Sequence, residues 1–297
     1  MKSRISDYQL VAKPGIVAAN LVSAAGGFLL ASRRDVNGHL LRLILAGVGL
    51  MVASGCVLNN CIDRHVDRRM CRTRNRVIVR GDMSPGVAYF YAGVLGLFGM
   101  LLIGAIANGL CTTVVLAGFT AYVGLYSLGL KSRSVHALLV GSLAGAAPPL
   151  AGYCAVTNRF DTGALILLTL FCVWQIPHAR AITVSRLEDF AKAGIPVLPV
   201  MRGIPVATRH MQIAVTAFTA VALMPRRLHW FQFCGRGGHG EHLLADPGLS
   251  GLAHRRQPPV GQAMFLFSIL SISVLSLMMA IDFVPRESAS RLLTATP

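Results

Sequence analysis

Apolar runs of similar length, separated by short polar connections, dominate this sequence. Most last about 18–22 residues with few charged side chains, and a helix of that length, rising 1.5 Å per residue, crosses a hydrocarbon core of about 30 Å. The pattern predicts an all-α polytopic membrane protein with seven spanning helices and a weaker eighth. The seven runs lie at about 15–32, 40–58, 86–107, 109–130, 137–157, 162–180 and 263–284, and the weaker one at 211–224.

Composition agrees with a membrane protein and argues against other classes. With 54% hydrophobic residues, 13% charged residues and a mean hydropathy of +0.60, the chain is too apolar for an ordinary soluble domain. A net charge of +16 would suit a nucleic-acid partner, but the basic residues lie between apolar runs, so no nucleic acid is expected. The seven cysteines form no CxxC pair, which argues against a disulfide framework or a zinc site.

The distribution of lysine and arginine predicts which side each connection faces. Seventeen basic residues lie in the N-terminal segment and the even-numbered connections, against three in the odd-numbered ones. Because basic connections stay in the cytoplasm, the N-terminus and the even connections are expected there. The first residues resemble neither a cleavable signal nor a transit peptide, so a bacterial inner membrane is the expected location.

Three polar side chains recur at four-residue intervals where the second apolar run ends. Asn59, Asp63 and Asp67 would share one helix face, since four residues advance a helix by little more than one turn. Stacked carboxylates repel unless a cation lies between them, and their hard oxygens suit Mg²⁺ shared with a phosphate ligand. The structural alternative is that these side chains pair with Arg64 and Arg68 at the lipid headgroups.

Two further polar connections fall on the same predicted side. One carries Lys131 and Arg133, and the other carries Glu188 and Asp189. Pro177 removes a backbone donor near the end of the preceding run, which predicts a broken helix of the kind that lines cavities. The three polar connections are therefore expected to converge on a cavity at the cytoplasmic side.

Six segments with a distinctive order and spacing carry a family resemblance. They are 59–67, 72–76, 129–133, 145–153, 174–178 and 189–199. Together they resemble the protohaem IX farnesyltransferases (haem O synthases), within the UbiA superfamily of intramembrane prenyltransferases. The resemblance extends over residues 10–224 and resumes at about 263–283, whereas the aspartate motif alone would indicate only the superfamily.

The resemblance implies a reaction and a set of site residues. The substrates would be farnesyl diphosphate and haem b, the product haem O, and the fold a bundle of nine helices in a lipid bilayer. Mg²⁺ would be held by Asp63 and Asp67, with help from Asn59. A haem A synthase or a terminal oxidase assembly would be a further partner. The residues implied to bind the diphosphate are Arg72, Arg76, Lys131 and Arg133.

Some positions depart from the superfamily or leave two interpretations open. A second acidic cluster is reduced to Glu188 and Asp189, with Ala193 where another aspartate would fall, so Asp189 is a candidate for a further metal ligand. Trp174 and His178 are candidate haem contacts. For His178 the alternative is an ordinary hydrogen-bonded histidine near a helix end.

Other functions share part of this pattern. Another UbiA-type aromatic prenyltransferase would carry the same aspartates. A transporter or channel for an anionic solute would also use broken helices and a basic cavity, but it predicts inverted repeats and a polar path across the membrane. A non-catalytic haem-handling assembly factor is the third alternative. Metal-dependent turnover of farnesyl diphosphate would distinguish the enzyme from the last two.

Residues 225–262 depart from the rest of the chain and hold four of its nine histidines. A relative of this family would have here the end of one span and another whole span. Because the run 211–224 reaches only about 21 Å, we expect a shifted reading frame from about Met224 to Gly261 rather than a disordered loop or a histidine metal site. The expected divisions are a prenyltransferase bundle at 1–224, an anomalous segment at 225–262, a last helix at 263–284 and a tail at 285–297.

Overall fold

The apolar runs form long helices in the computed structural model, which describes residues 4–32, 35–227 and 260–281. The long helices are α2 (Pro14–Ser32), α3 (Gly38–Ile62), α6 (Pro85–Ile106), α7 (Gly109–Thr120) with a π-helical continuation over Ala121–Leu130, α8 (Ala137–Thr157), α9 (Thr162–Ser185), α12 (Ile204–Arg227) and α13 (Val260–Ile281). The short helices are α1 (Arg4–Val11), α4 (Arg64–Asp67), α5 (Val77–Arg80), α10 (Leu187–Ala193) and α11 (Leu198–Arg202). Among the described residues, six segments are long and apolar enough to cross a membrane. The prediction of an all-α membrane protein is confirmed.

Polar caps set where several of these helices begin. Asn37, Ser84, Asn108 and Asp161 each accept a hydrogen bond from the backbone N–H three residues further on. Each cap satisfies one of the amide donors that a helix leaves free in its first turn. Short polar connections therefore suffice to end one span and start the next.

Helices α2 and α8 approach each other closely at the centre of the bundle. A Cβ atom added to Gly27 would lie 2.0 Å from the carbonyl oxygen of Pro149, and one added to Gly152 would lie 2.1 Å from that of Ala24. Phe28, fully buried, packs beside this contact. The absence of side chains at the two glycines lets the helix backbones meet, as small residues do in membrane bundles.

We expect Gly152→Ala to destabilise the bundle, because its methyl group would overlap a carbonyl oxygen of α2 and push the helices apart. The cost should be about 1–3 kcal/mol. Gly104→Ala is the matched control, since position 104 in α6 has open space around the added Cβ and alanine favours a helix by up to about 1 kcal/mol. Thermal unfolding in detergent should give a lower midpoint for Gly152→Ala alone; equal midpoints would contradict the close contact.

The weaker predicted helix is longer than its apolar run. The run 211–224 was expected to reach only about 21 Å, but α12 has 24 residues, about 36 Å, and starts seven residues earlier. A hydropathy scan misses this start because the first turns contain polar residues such as Arg209. The Thr208 hydroxyl donates a hydrogen bond to the Ile204 carbonyl within the helix. The helix is not among the six segments apolar enough to cross a membrane, so its apolar part remains the short run. The shifted-frame hypothesis stays a prediction, since most of the segment it concerns, 228–259, lies outside the described residues.

The predicted helix break at Pro177 is wrong. Helix α9 runs without interruption from Thr162 to Ser185, so it continues for eight residues beyond the proline. Proline removes one backbone donor but need not end a helix that is held from several sides. Helix α9 packs against α8, α12 and α13, which keeps its direction and carries its last turns to the polar end of the bundle.

Candidate active site

The end of α3 stacks the three predicted polar residues in successive turns. The Asp63 amide donates to the Asn59 carbonyl at 2.9 Å, and the Asp67 amide donates to the Asp63 carbonyl at 2.8 Å, so the helical path continues from α3 into α4. All three side chains are buried, with at most 5% of each residue exposed. The four-residue spacing therefore places them along one wall of a cavity, as predicted.

Each carboxylate is paired with a cation that lies far from it in sequence. Lys131 forms an ion pair with Asp63 Oδ2, and Arg76 donates to Asp67 Oδ2 at 2.5 Å. Arg64 instead donates to the carbonyl of Cys61 at 3.3 Å. Among the described residues, the aspartates therefore do not pair with the neighbouring arginines, as the structural alternative required.

Asn59 orients the first carboxylate. Its Nδ2 donates to Asp63 Oδ2 at 2.8 Å and to Ser127 Oγ at 3.3 Å, while its Oδ1 accepts from Lys13 Nζ at 2.8 Å. Lys13 is half-buried as a residue but its ammonium group lies deep, and desolvation, followed by the charge of Arg76, lowers its pKa to about 8. Lys13 was not among the residues expected at the site, because it precedes the first span by one residue.

The π-helical segment after α7 supplies the opposite wall. The Lys131 amide donates to the Tyr126 carbonyl at 2.9 Å, a five-residue step that closes the last wide turn. Tyr126 and Lys131 line the cavity, and Ser127 reaches Asn59. Such π turns are uncommon and often occur at functional sites, so this irregularity positions the lysine that meets Asp63.

The three polar connections converge as predicted. Together with the end of α9, they enclose a cavity of about 200 Å³. Apolar residues such as Leu138, Val197 and Phe190 line it beside the charged ones. The cavity thus combines an acidic wall, the basic side chains that pair with it and an apolar surface.

Asp189 ties two of these connections together. Its Oδ1 accepts from the Cys71 backbone amide at 3.0 Å, and the residue is 9% exposed. Beside it, Met70, Ala193 and Ile195 form a small buried cluster. Asp189 itself does not line the cavity, and its place as a further metal ligand stays a prediction.

The two remaining candidate diphosphate residues differ in position. Arg72 is exposed but lines the cavity, and desolvation followed by the like charges of Arg76 and Arg186 lowers its pKa. Arg133 is exposed and does not line the cavity. A role at the diphosphate therefore has direct geometric support for Arg72, whereas for Arg133 it stays a prediction.

The two candidate haem residues pack between helices. The rings of Trp174 and His178 stack at 4.7 Å, and both side chains contact Ser268 of α13: Trp174 Nε1 donates to its carbonyl at 2.9 Å, and His178 Nδ1 lies 2.8 Å from its hydroxyl. Neither residue lines the cavity. The hydrogen bond of His178 matches the structural interpretation, and a haem contact stays a prediction for both.

One charged residue at the cavity was not expected as a site residue. Arg180 lies near the end of α9, lines the cavity and is 7% exposed. From the sequence alone, Arg180 is one of several basic residues assigned to a connection that is predicted to be cytoplasmic. Only the continuation of α9 beyond Pro177 brings it inside the protein.

Comparison with known proteins identifies the family. The model of the UbiA prenyltransferase family matches residues 20–237. This chain belongs to the UbiA prenyltransferase family. Two curated members are close in sequence: "Protoheme IX farnesyltransferase" of Yersinia pseudotuberculosis serotype O:1b is 46% identical over 96% of this chain and 97% of its own, and that of Edwardsiella ictaluri is 45% identical over 98% and 99%.

Solved structures of the family share the fold. A digeranylgeranylglyceryl phosphate synthase superimposes with a TM-score of 0.74 and 16% identity, covering 93% of this chain and 98% of that one. A UbiA homologue from Archaeoglobus fulgidus, bound to GPP and Mg²⁺, gives a TM-score of 0.67 and 19% identity, covering 92% and 99%. At these identities the likeness establishes the UbiA bundle and leaves the acceptor to be argued from other observations.

Proposed function

We propose that this chain transfers the farnesyl group of farnesyl diphosphate to a vinyl group of protohaem IX (haem b), forming haem O. The observation that carries the proposal is the 46% identity, over nearly the full length of both chains, to proteins named protoheme IX farnesyltransferase. The buried aspartates with their cations provide the chemistry that such a transfer requires.

The donor atoms at the acidic wall fit a divalent cation. Asp63 and Asp67 each engage a cation through Oδ2, and within the described part of the chain neither Oδ1 has a hydrogen-bond partner. Hard carboxylate oxygens of this kind suit Mg²⁺. These two residues would hold the ion, with Asn59 orienting Asp63, and when bound the ion would neutralise the diphosphate and improve it as a leaving group.

The cationic side chains of the site suit the part of the diphosphate charge that the metal ion would not neutralise. Arg72, Arg76 and Lys131 all line the cavity, and their N–H groups can donate charge-assisted hydrogen bonds to phosphate oxygens. As the bond between farnesyl C1 and oxygen breaks, the diphosphate leaves with the electron pair and its charge grows. Donors already in place stabilise that charge without reorganising.

The apolar part of the cavity suits the remaining steps. The allylic cation at farnesyl C1 accepts the π electrons of a vinyl group, forming the new carbon–carbon bond. Water then adds to the cation left on the porphyrin side chain and loses a proton, giving the hydroxyethylfarnesyl group. Side chains such as Leu138 and Val197 keep water away from the first cation.

The position of the buried charges argues against a transporter. Among the described residues, the buried charged side chains are those of Asp63, Asp67, Arg180 and Asp189. All four lie in or beside one cavity at one end of the bundle, whereas a polar path would need such groups at several depths. Delivery of haem O to a haem A synthase or a terminal oxidase assembly stays a prediction.

The proposal is tested with the purified chain in detergent. Supplied with protohaem IX, Mg²⁺ and farnesyl diphosphate, it should form a haem product whose mass increases by one farnesyl group and one hydroxyl group. Another UbiA-type prenyltransferase would leave the haem unchanged and prenylate an aromatic acceptor instead. An assembly factor would bind haem without consuming farnesyl diphosphate.

We expect Arg72→Ala to raise the KM for farnesyl diphosphate by roughly ten- to a hundredfold, since one charged hydrogen bond is worth about 1.5–3 kcal/mol. Arg133→Ala is the comparison, because its exposed side chain does not line the cavity. Steady-state kinetics with varied farnesyl diphosphate should show the smaller change for Arg133→Ala. Equal effects would mean that both arginines reach the diphosphate.

The membrane orientation is also open to a direct test. Cys71 is exposed on the cavity side of the bundle, and Phe160 is exposed in the connection between α8 and α9. For a protein of a bacterial inner membrane, the charge distribution predicts that Cys71 faces the cytoplasm and that Phe160 faces the opposite side. In intact cells, a membrane-impermeant thiol reagent should label a single-cysteine Phe160→Cys variant but not one that retains only Cys71. Labelling of Cys71 would reverse the orientation.

A further inference from the structure

Arg180 is a buried cation that has no counter-charge among the described residues. It lies on α9, five residues before the helix ends at Ser185, and lines the cavity with 7% of its surface exposed. Its Nε atom is buried and has no hydrogen-bond partner, and no carboxylate of the described residues forms an ion pair with it. The carboxylates of the cavity are instead paired with Arg76 and Lys131.

An unpaired charge at this depth implies a ligand. Taking a guanidinium out of water without a partner is unfavourable, and membrane proteins keep such groups where they serve substrates or other charges. The planar fork of arginine matches the two oxygens of a carboxylate or a phosphate. Arg180 is therefore set to receive an anionic group that enters the cavity.

The surroundings of Arg180 favour a carboxylate on an apolar molecule over the diphosphate. The proposed diphosphate already has its own cations, because Arg76 and Lys131 pair with the aspartates and Arg72 lines the same cavity. The other α9 residues that line the cavity are Ala179, Ile182 and Thr183, of which none carries a charge. The proposed acceptor combines a flat apolar ring with two propionate carboxylates.

We propose that Arg180 binds a propionate carboxylate of the porphyrin acceptor and so fixes which edge of the ring faces farnesyl C1. The inference rests on the proposed function. It assigns to α9 the recognition of the acceptor and to α3, α4 and the π-helical segment the recognition of the donor.

Binding and kinetics with matched porphyrins test this assignment. Zinc protoporphyrin IX and its dimethyl ester are titrated by fluorescence into the purified wild type and into Arg180→Gln, Arg180→Lys and Arg202→Gln, the last an exposed arginine outside the cavity. We expect Arg180→Gln to raise the Kd for the free acid by roughly ten- to a hundredfold. The Kd for the dimethyl ester and the KM for farnesyl diphosphate should not change. Arg180→Lys should retain part of the preference for the acid, and Arg202→Gln all of it.

The contrary outcomes are distinct. If Arg180→Gln raises the KM for farnesyl diphosphate and leaves porphyrin binding intact, the arginine serves the diphosphate and the inference is wrong. If the variant changes neither the KM nor porphyrin binding, or weakens the binding of the acid and the ester equally, the inference also fails. A wild type that binds neither porphyrin would instead reject the haem acceptor itself. The unfolding midpoint of Arg180→Gln without ligand should not fall, since only an unpaired charge is lost.

Discussion

Asp63→Asn and Asp67→Asn should each lower haem O formation by roughly a thousandfold or more while the protein still reaches the membrane. Asparagine keeps the shape of the side chain but removes the charge that we propose holds a divalent cation against the diphosphate. Charge stabilisation of this kind is worth several kcal/mol, and each 1.36 kcal/mol is a factor of ten in rate. The measurement is the initial rate of haem O formation at saturating substrates.

Asp82→Asn is the matched control for these two variants. Asp82 is a carboxylate in the same polar connection, paired with Arg80 on the surface and outside the cavity. It should retain near-normal activity, and chelation of Mg²⁺ should reproduce the loss in the wild type. Near-normal activity of both cavity variants, with chelation harmless, would contradict the metal assignment.

Lys131→Met should lower both stability and activity. The substitution keeps the length of the side chain but leaves the carboxylate of Asp63, 6% exposed, without its cation. Because the lysine side chain is 22% exposed, the loss should lie between that of a surface pair and that of a buried one, about 2–4 kcal/mol. Thermal unfolding of the substrate-free protein measures it.

The double variant Lys131→Met with Asp63→Asn separates stability from catalysis. With neither charge present, no buried carboxylate is left unpaired, so most of the stability should return while activity stays absent. Lys131→Arg keeps the charge and should keep the stability. If the double variant is as unstable as Lys131→Met, the pairing with Asp63 is not the source of the loss.

Much of the bundle could be predicted because the membrane imposes a length and a polarity on each span. The seven strong runs became helices close to their predicted bounds. The start of α12 could not be found in this way, because its first turns contain polar side chains and hydropathy detects only apolar segments. Pro177 was misread for a related reason: the packing of α9 against three neighbours outweighs one lost hydrogen bond.

The candidate site could be predicted in part. The spacing of Asn59, Asp63 and Asp67 was sufficient because consecutive helical turns fix neighbouring side chains. The partners of these residues were less accessible to sequence reasoning. The pairing of Lys131 with Asp63 depends on a π-helical segment that no apolar spacing distinguishes from an α-helix, and the place of Lys13 depends on how α2 packs against α3.

The central claim is tested most directly by extracting haem from cells that lack their own haem O synthase and carry this gene. Chromatography with mass detection should find haem O in cells with the wild type and only haem b in cells with Asp63→Asn present in the membrane at equal amount. Haem b alone in both, with wild-type protein present in the membrane, would contradict the proposed farnesyl transfer.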